Sequence, residues 1–140
     1  MKREISAGGV IVAMIKGKWH VLLLKDKNGN WTFPKGLIEK GEAFRETAVR
    51  EIGEEVGITT LKFIKGLASV DYLYKWEGNL IKKTVHYFLF ENGGYEKLIP
   101  QTKEGIMDVK WFPFQEAVSL VGYPKTNQPL LKKVVNHYAT

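Results

Sequence analysis

The 140-residue chain contains no cysteine. That excludes a disulfide framework, a thiolate metal site and a cysteine nucleophile. It also has no apolar run approaching the ~18–20 residues that a membrane-spanning helix requires. The opening Met1-Lys2-Arg3-Glu4 leads into a strand-like run without a small-residue cleavage site, so no signal peptide is expected. Blocks of five or more like charges, internal repeats, linkers and low-complexity tracts are missing as well. These absences point to a cytoplasmic protein without a membrane segment. The length suits one compact domain, residues 1–140, and leaves no room for a separate DNA-binding domain.

What is present is ordinary in bulk: 44% hydrophobic and 26% charged residues, the composition of a folded chain. The formal net charge of +6 attracts polyanions such as nucleic acid, anionic surfaces or free phosphate esters. It is equally common in proteins that bind none of these, so it carries weight only beside a motif.

Residues 5–15 are rich in β-branched side chains and, after the turn Lys16-Gly17-Lys18, residues 19–25 complete a hairpin. A short strand at 31–33 is stopped by Pro34. A glycine-bearing loop, 36–42, precedes a helix over 43–56 that Gly57 closes. Strands follow at 61–76 and 80–90, joined by Glu77-Gly78-Asn79, then one at 108–112. A short helix over 113–122 and a last helix over 128–138 end the chain. The order implies an α/β protein, a mixed β-sheet with helices packed on it.

The helix at 43–56 carries the chemistry. Glu51, Glu54 and Glu55 stand at i, i+3 and i+4, so they share one face within about 100°. Ala48, Val49, Ile52 and Val56 form the adjacent apolar stripe, expected to face the core. Like charges at this spacing oppose the helix by about 0.2–0.5 kcal/mol per pair. A hard divalent cation offsets that repulsion, and magnesium uses carboxylates, waters and substrate phosphates as ligands. A solvated acidic face is the bland alternative.

Residues 36–58 read GLIEKGEAFRETAVREIGEEVGI. This resembles the signature of the Nudix family, G-x5-E-x7-R-E-U-x-E-E-x-G-U with U aliphatic, at every fixed position. At average residue usage a chance match at a given start is roughly one in a billion or rarer. The resemblance implies a loop–helix–loop on an α/β/α sandwich. It implies that Glu51, Glu54 and Glu55 bind magnesium, with manganese able to substitute, and that the Gly36 carbonyl is a further ligand. Arg50 would orient the glutamates through a forked contact, and Glu42 would pair with Arg50 and brace the helix. Metal would neutralise the anhydride oxygens and acidify a water. Glu54 or Glu55 would take that water's proton, or Glu104 from a downstream loop would do so, as in some relatives.

For the substrate, Trp31-Thr32-Phe33-Pro34-Lys35-Gly36 is similar to the stretch before the box in diadenosine polyphosphate and diphosphoinositol polyphosphate hydrolases. Lys35 would then stand beside the phosphates. Dinucleoside polyphosphate hydrolases carry a tyrosine about 16–18 residues past the box. Tyr74 lies 16 past Ile58, with Tyr72 on the same strand face. One of Lys82 and Lys83 should face the same pocket, Lys83 being the choice, and one of His86 and Tyr87, Tyr87 being the choice. Alternating tyrosines are more often sheet packing than substrate contacts. The expected reaction is cleavage of a small-molecule nucleotide, diadenosine tetraphosphate, to ATP and AMP. Rivals are pyrophosphohydrolysis of 8-oxo-dGTP or another triphosphate, of a capped RNA end or of a diphosphoinositol phosphate, and a non-hydrolytic nucleotide-sensing module.

Overall fold

The computed structural model describes residues 1–139. Its seven strands form one sheet: β1 (Lys2–Ile15), β2 (Lys18–Lys25), β3 (Trp31–Thr32), β4 (Lys35–Leu37), β5 (Lys62–Trp76), β6 (Asn79–Glu91) and β7 (Asp108–Pro113). The main path runs β3-β2-β1-β6-β5, with β4 against β1 and β7 against β2. β1 and β6 are parallel while every other pair is antiparallel, which makes the sheet mixed. Both long hairpins turn on two residues with positive φ, Lys16-Gly17 and Glu77-Gly78. That backbone matches the right-handed twist of the flanking strands.

Alternation along the strands splits the core into two layers. Ala7 and Ile11 of β1 and Leu22 and Leu24 of β2 meet α1 (Phe44–Val56) through Ala48, Ile52 and Val56. Val10, Val12, Val21 and Leu23 point the other way. There they meet Ala117 of α2 (Phe114–Leu120) and Leu130, Leu131 and Val134 of α3 (Pro124–Tyr138). Each of these valines, leucines and isoleucines, fully buried, contributes about 1.5–3 kcal/mol. The result is the expected α/β/α sandwich. Among the described residues, no helix is long and apolar enough to cross a membrane.

Four local expectations need correction. Val49 is 41% exposed, and Thr47 is buried in its place, because burial follows the i, i+4, i+8 row of Ala48, Ile52 and Val56. The segment after Pro34 is not all loop: residues 35–37 form β4, with Lys35 opposite Gly8 and Leu37 opposite Ser6. Gly8 makes this approach possible, since a Cβ there would lie 2.4 Å from the Pro34 carbonyl oxygen. The last helix starts at Pro124, not 128, with Tyr123 at φ 52° as its cap. Proline suits a first helical turn, whereas the second proline, Pro129, lies inside the helix and forfeits one backbone bond there. The short helix begins one residue after Pro113 and ends at Leu120.

Candidate active site

β4 and α1 build the acidic half of the site. Gly57, at φ 82°, ends α1, and Gly36 lies beneath Glu51. A Cβ on Gly36 would fall 2.0 Å from the Glu51 carboxylate carbon, so only glycine lets that side chain lie on the β4 backbone. Arg50 ties the face together. Its Nε and Nη2 donate to the two Glu42 oxygens at 2.7 and 3.0 Å, and Nη1 donates to Glu51 Oε1 at 2.8 Å. Nη1 also reaches both Glu54 oxygens at 3.3 Å, and Nη2 donates to the Leu37 carbonyl at 3.0 Å. Glu42 accepts further bonds from Thr47 Oγ1 and the Glu39 amide. The Arg50 fork holds its carboxyl down at about 2, a permanently charged brace.

Glu55 is oriented differently: its Oε1 accepts the Lys35 backbone N–H at 2.8 Å. Burial pushes its carboxyl up to about 8, and the charges of Glu51 and Glu104 add to the rise. Burial raises Glu51 as well, against the pull of Arg50. Glu104 sits in a 3-10 turn, Thr102–Glu104, from another part of the chain, and its charge reaches both of these carboxylates. Two half-buried carboxyls driven toward neutrality by burial and by each other form a site that a hard cation would relieve. The donors are all oxygens, which fits magnesium or manganese. Among the described residues no three such side chains already converge as ligands, and both Glu51 and Glu54 are engaged by Arg50.

On the opposite face of the sheet opens a cleft of about 880 Å³. Lys35, Tyr72, Tyr74, Lys83 and Tyr87 all line it. Register explains the selection: Tyr72 pairs with Lys83 and Tyr74 with Ile81, so Lys83 and not Lys82 shares their face. His86 points the other way, stacked on Phe44 at 4.0 Å and bonded to Ser69 Oγ. Tyr87 is almost fully buried at the cleft floor, and burial raises its phenol. Lys35 joins the two halves. Its backbone holds Glu55, while its ammonium donates to the Tyr72 hydroxyl at 2.8 Å and lies 5.0 Å from that ring. Burial lowers its pKa, and Glu55 works against that.

The cleft also contains residues that sequence reasoning passed over. Asp26, Lys27 and Asn28 come from the turn before β3, and residues 123–127 from the start of α3. Tyr123 donates to Asp26 Oδ2 at 2.7 Å and closes that rim, while Asn127, buried, bonds Thr32 Oγ1. A Tyr-Pro-Lys turn opening a helix was the available signal, but nothing local sets it beside residue 26.

A family model described as NUDIX domain matches residues 3–137. The chain is 35% identical over 127 residues to the Mycobacterium tuberculosis protein MutT4, covering 86% of itself and only 50% of that relative. It is 36% identical over 106 residues to the asymmetrical bis(5'-nucleosyl)-tetraphosphatase of Sus scrofa, covering 73% of itself and 69% of that protein. A crystal structure of a C. elegans Ap4A hydrolase binary complex superimposes with a TM-score of 0.79 at 27% identity, covering 96% of each chain.

Proposed function

The chain belongs to the Nudix family, and on that premise we propose that it is a magnesium-dependent hydrolase that cuts diadenosine tetraphosphate into ATP and AMP. The observation that carries this reading is Lys35, one residue whose backbone fixes the box carboxylate Glu55 and whose ammonium meets the tyrosine-lined cleft. The Sus scrofa tetraphosphatase and the C. elegans Ap4A hydrolase support it.

Lys35 and Lys83 offset phosphate charge in the cleft, and Tyr72 and Tyr74 offer aromatic surface to a base. Glu51, Glu54, Glu55 and the Gly36 carbonyl hold the metal, which when bound neutralises the anhydride oxygens and makes the attacking water more acidic. Arg50 and Glu42 keep the helix face in place. Water attacks a phosphorus, the anhydride P–O bond breaks with its electrons leaving on the departing phosphate, and a carboxylate accepts the water's proton. Glu104 supports the role of that base through its proximity to Glu51 and Glu55, with Glu54 and Glu55 as the alternatives within the box.

Product analysis with purified protein and magnesium tests the proposal. The panel holds diadenosine tetraphosphate, diadenosine triphosphate, ADP-ribose, 8-oxo-dGTP, dATP, a capped RNA and a diphosphoinositol phosphate. The expected result is preferred conversion of diadenosine tetraphosphate to ATP plus AMP, abolished by EDTA and restored by magnesium or manganese. Preference for another compound discards the substrate, and no EDTA-sensitive turnover of any compound discards hydrolysis.

Arg50→Lys tests the brace. A point charge cannot fork to Glu42 while reaching Glu51, Glu54 and the Leu37 carbonyl. Loss of such an orienting contact is expected to lower kcat/KM by about 10–100-fold. Steady-state kinetics at saturating magnesium checks this, and an unchanged kcat/KM would show that Arg50 orients nothing the reaction needs.

A further inference from the structure

Beside the cleft stands a carboxylate that the reaction outlined above does not use. Glu4, near the start of β1, accepts a hydrogen bond from the Tyr74 hydroxyl. The two residues are 70 positions apart in sequence. In the parallel β1–β6 ladder Glu4 pairs with Lys83, and in the β5–β6 ladder Lys83 pairs with Tyr72. Glu4, Lys83 and Tyr72 therefore form one row across three strands on the cleft face, with Tyr74 one step outward along β5. The Tyr72 and Tyr74 rings lie 6.4 Å apart at 40°.

A carboxylate here is costly for a ligand that is itself a polyanion, because it partly cancels Lys83 and repels phosphate. Beyond Tyr72 the Lys35 ammonium rests on the Tyr72 hydroxyl and ring, and there the charge of Asp26 reaches it while Lys27 and Lys125 line the same part of the cleft. The cleft is thus graded: Lys35, Lys27 and Lys125 gather toward β4 and Asp26, while Glu4 and the paired tyrosines stand toward the outer end of the β5–β6 hairpin. The bond to Glu4 raises the Tyr74 phenol to about 12 and keeps it a neutral donor. Held by its hydroxyl, the Tyr74 ring is fixed before ligand arrives, which reduces the ordering that binding requires.

We propose that Glu4 is a positioning residue that sets substrate direction: by holding the Tyr74 hydroxyl it makes the hairpin end the nucleoside end of the cleft, with the phosphate chain running toward Lys35. This rests on the hydrolase reading above and adds the orientation of the substrate and the residue that enforces it.

The test uses Glu4→Ala, Glu4→Gln, Tyr74→Phe and the Glu4→Ala/Tyr74→Phe double variant. Losing one such hydrogen bond is expected to raise KM for diadenosine tetraphosphate by about 5–10-fold in Glu4→Ala and in Tyr74→Phe, with kcat within about twofold. Glu4→Gln keeps the acceptor and stays near wild type, and the double variant is no worse than either single one. A merely structural role would not give this split, this rescue and this non-additivity together. Calorimetry with ATP and with inorganic tripolyphosphate, in calcium, provides a second readout that needs no turnover. Glu4→Ala is expected to weaken ATP and leave tripolyphosphate unchanged.

An unchanged KM in Glu4→Ala, additive effects, or equal weakening of both calorimetric ligands overturns the proposal. So does tighter substrate binding by Glu4→Gln, since removing the charge would then relieve repulsion of phosphates lying there. If wild type does not cleave diadenosine tetraphosphate yet the ATP-specific loss appears, the substrate assignment falls and the role of Glu4 stands.

Discussion

Glu54→Gln is expected to lower kcat for diadenosine tetraphosphate by about 1,000-fold, equivalent to ~4 kcal/mol of barrier, while the protein remains folded. The two halves of that result have separate causes. Folding should be indifferent, because the Glu54 side chain is 46% exposed and its contacts are the 3.3 Å approaches to Arg50. Activity should not be, because glutamine keeps the size and removes the charge that a divalent cation requires. Circular dichroism melts and product assays at matched magnesium separate the effects. Wild-type turnover in this variant would remove Glu54 from the metal ligands and from the candidate bases together.

The second large effect is expected from a single methyl group. Gly36→Ala sets a Cβ about where the Glu51 carboxylate lies, 2.0 Å from its carbon and 2.2 Å from Oε1, the oxygen that also accepts from Arg50. Either β4 moves away from α1 or Glu51 leaves its position. Overpacking of this kind costs typically ~1–3 kcal/mol of stability. The larger consequence is catalytic, since displacing a site group by about 1 Å is enough to lose roughly 100-fold in rate. Gly93→Ala is the control, for a Cβ there meets only Tyr95 Cδ2 at an ordinary 3.7 Å. Equal kcat/KM for Gly36→Ala and Gly93→Ala would mean that the Gly36–Glu51 contact plays no part in the reaction.

The helix, its capping glycine and both long hairpins were legible because each depends on local rules, whereas the sandwich was implied by the family resemblance. Two-residue turns, a 3.6-residue period and the αL preference of glycine act within a few positions. Where reading failed, the deciding contact came from elsewhere. β4 is a strand because Gly8 of β1 admits it, not because residues 35–37 favour extension. Val49 looked apolar enough for the core, yet α1 is rotated so that Ile52 packs onto Gly9, where a Cβ would lie 2.6 Å from Ile52 Cδ1. The rim at 26–28 and 123–127 is joined by the Tyr123–Asp26 bond, which spans 97 positions.

By itself the sequence determined the acidic helix face. The spacing of Glu51, Glu54 and Glu55 places them together on any α-helix, and Arg50 and Glu42 at their offsets fit the fork that the structure contains. It also determined that Tyr72 and Tyr74 share a strand face, since that follows from a period of two. The tertiary structure decided everything that joins these local facts. Which lysine accompanies the tyrosines was set by the β5–β6 register. The links from Lys35 to Glu55, from Lys35 to Tyr72 and from Tyr74 to Glu4 close over 20, 37 and 70 residues. Contacts of that separation depend on how strands order themselves in the sheet, which is a property of the whole buried core and has no signature in neighbouring residues.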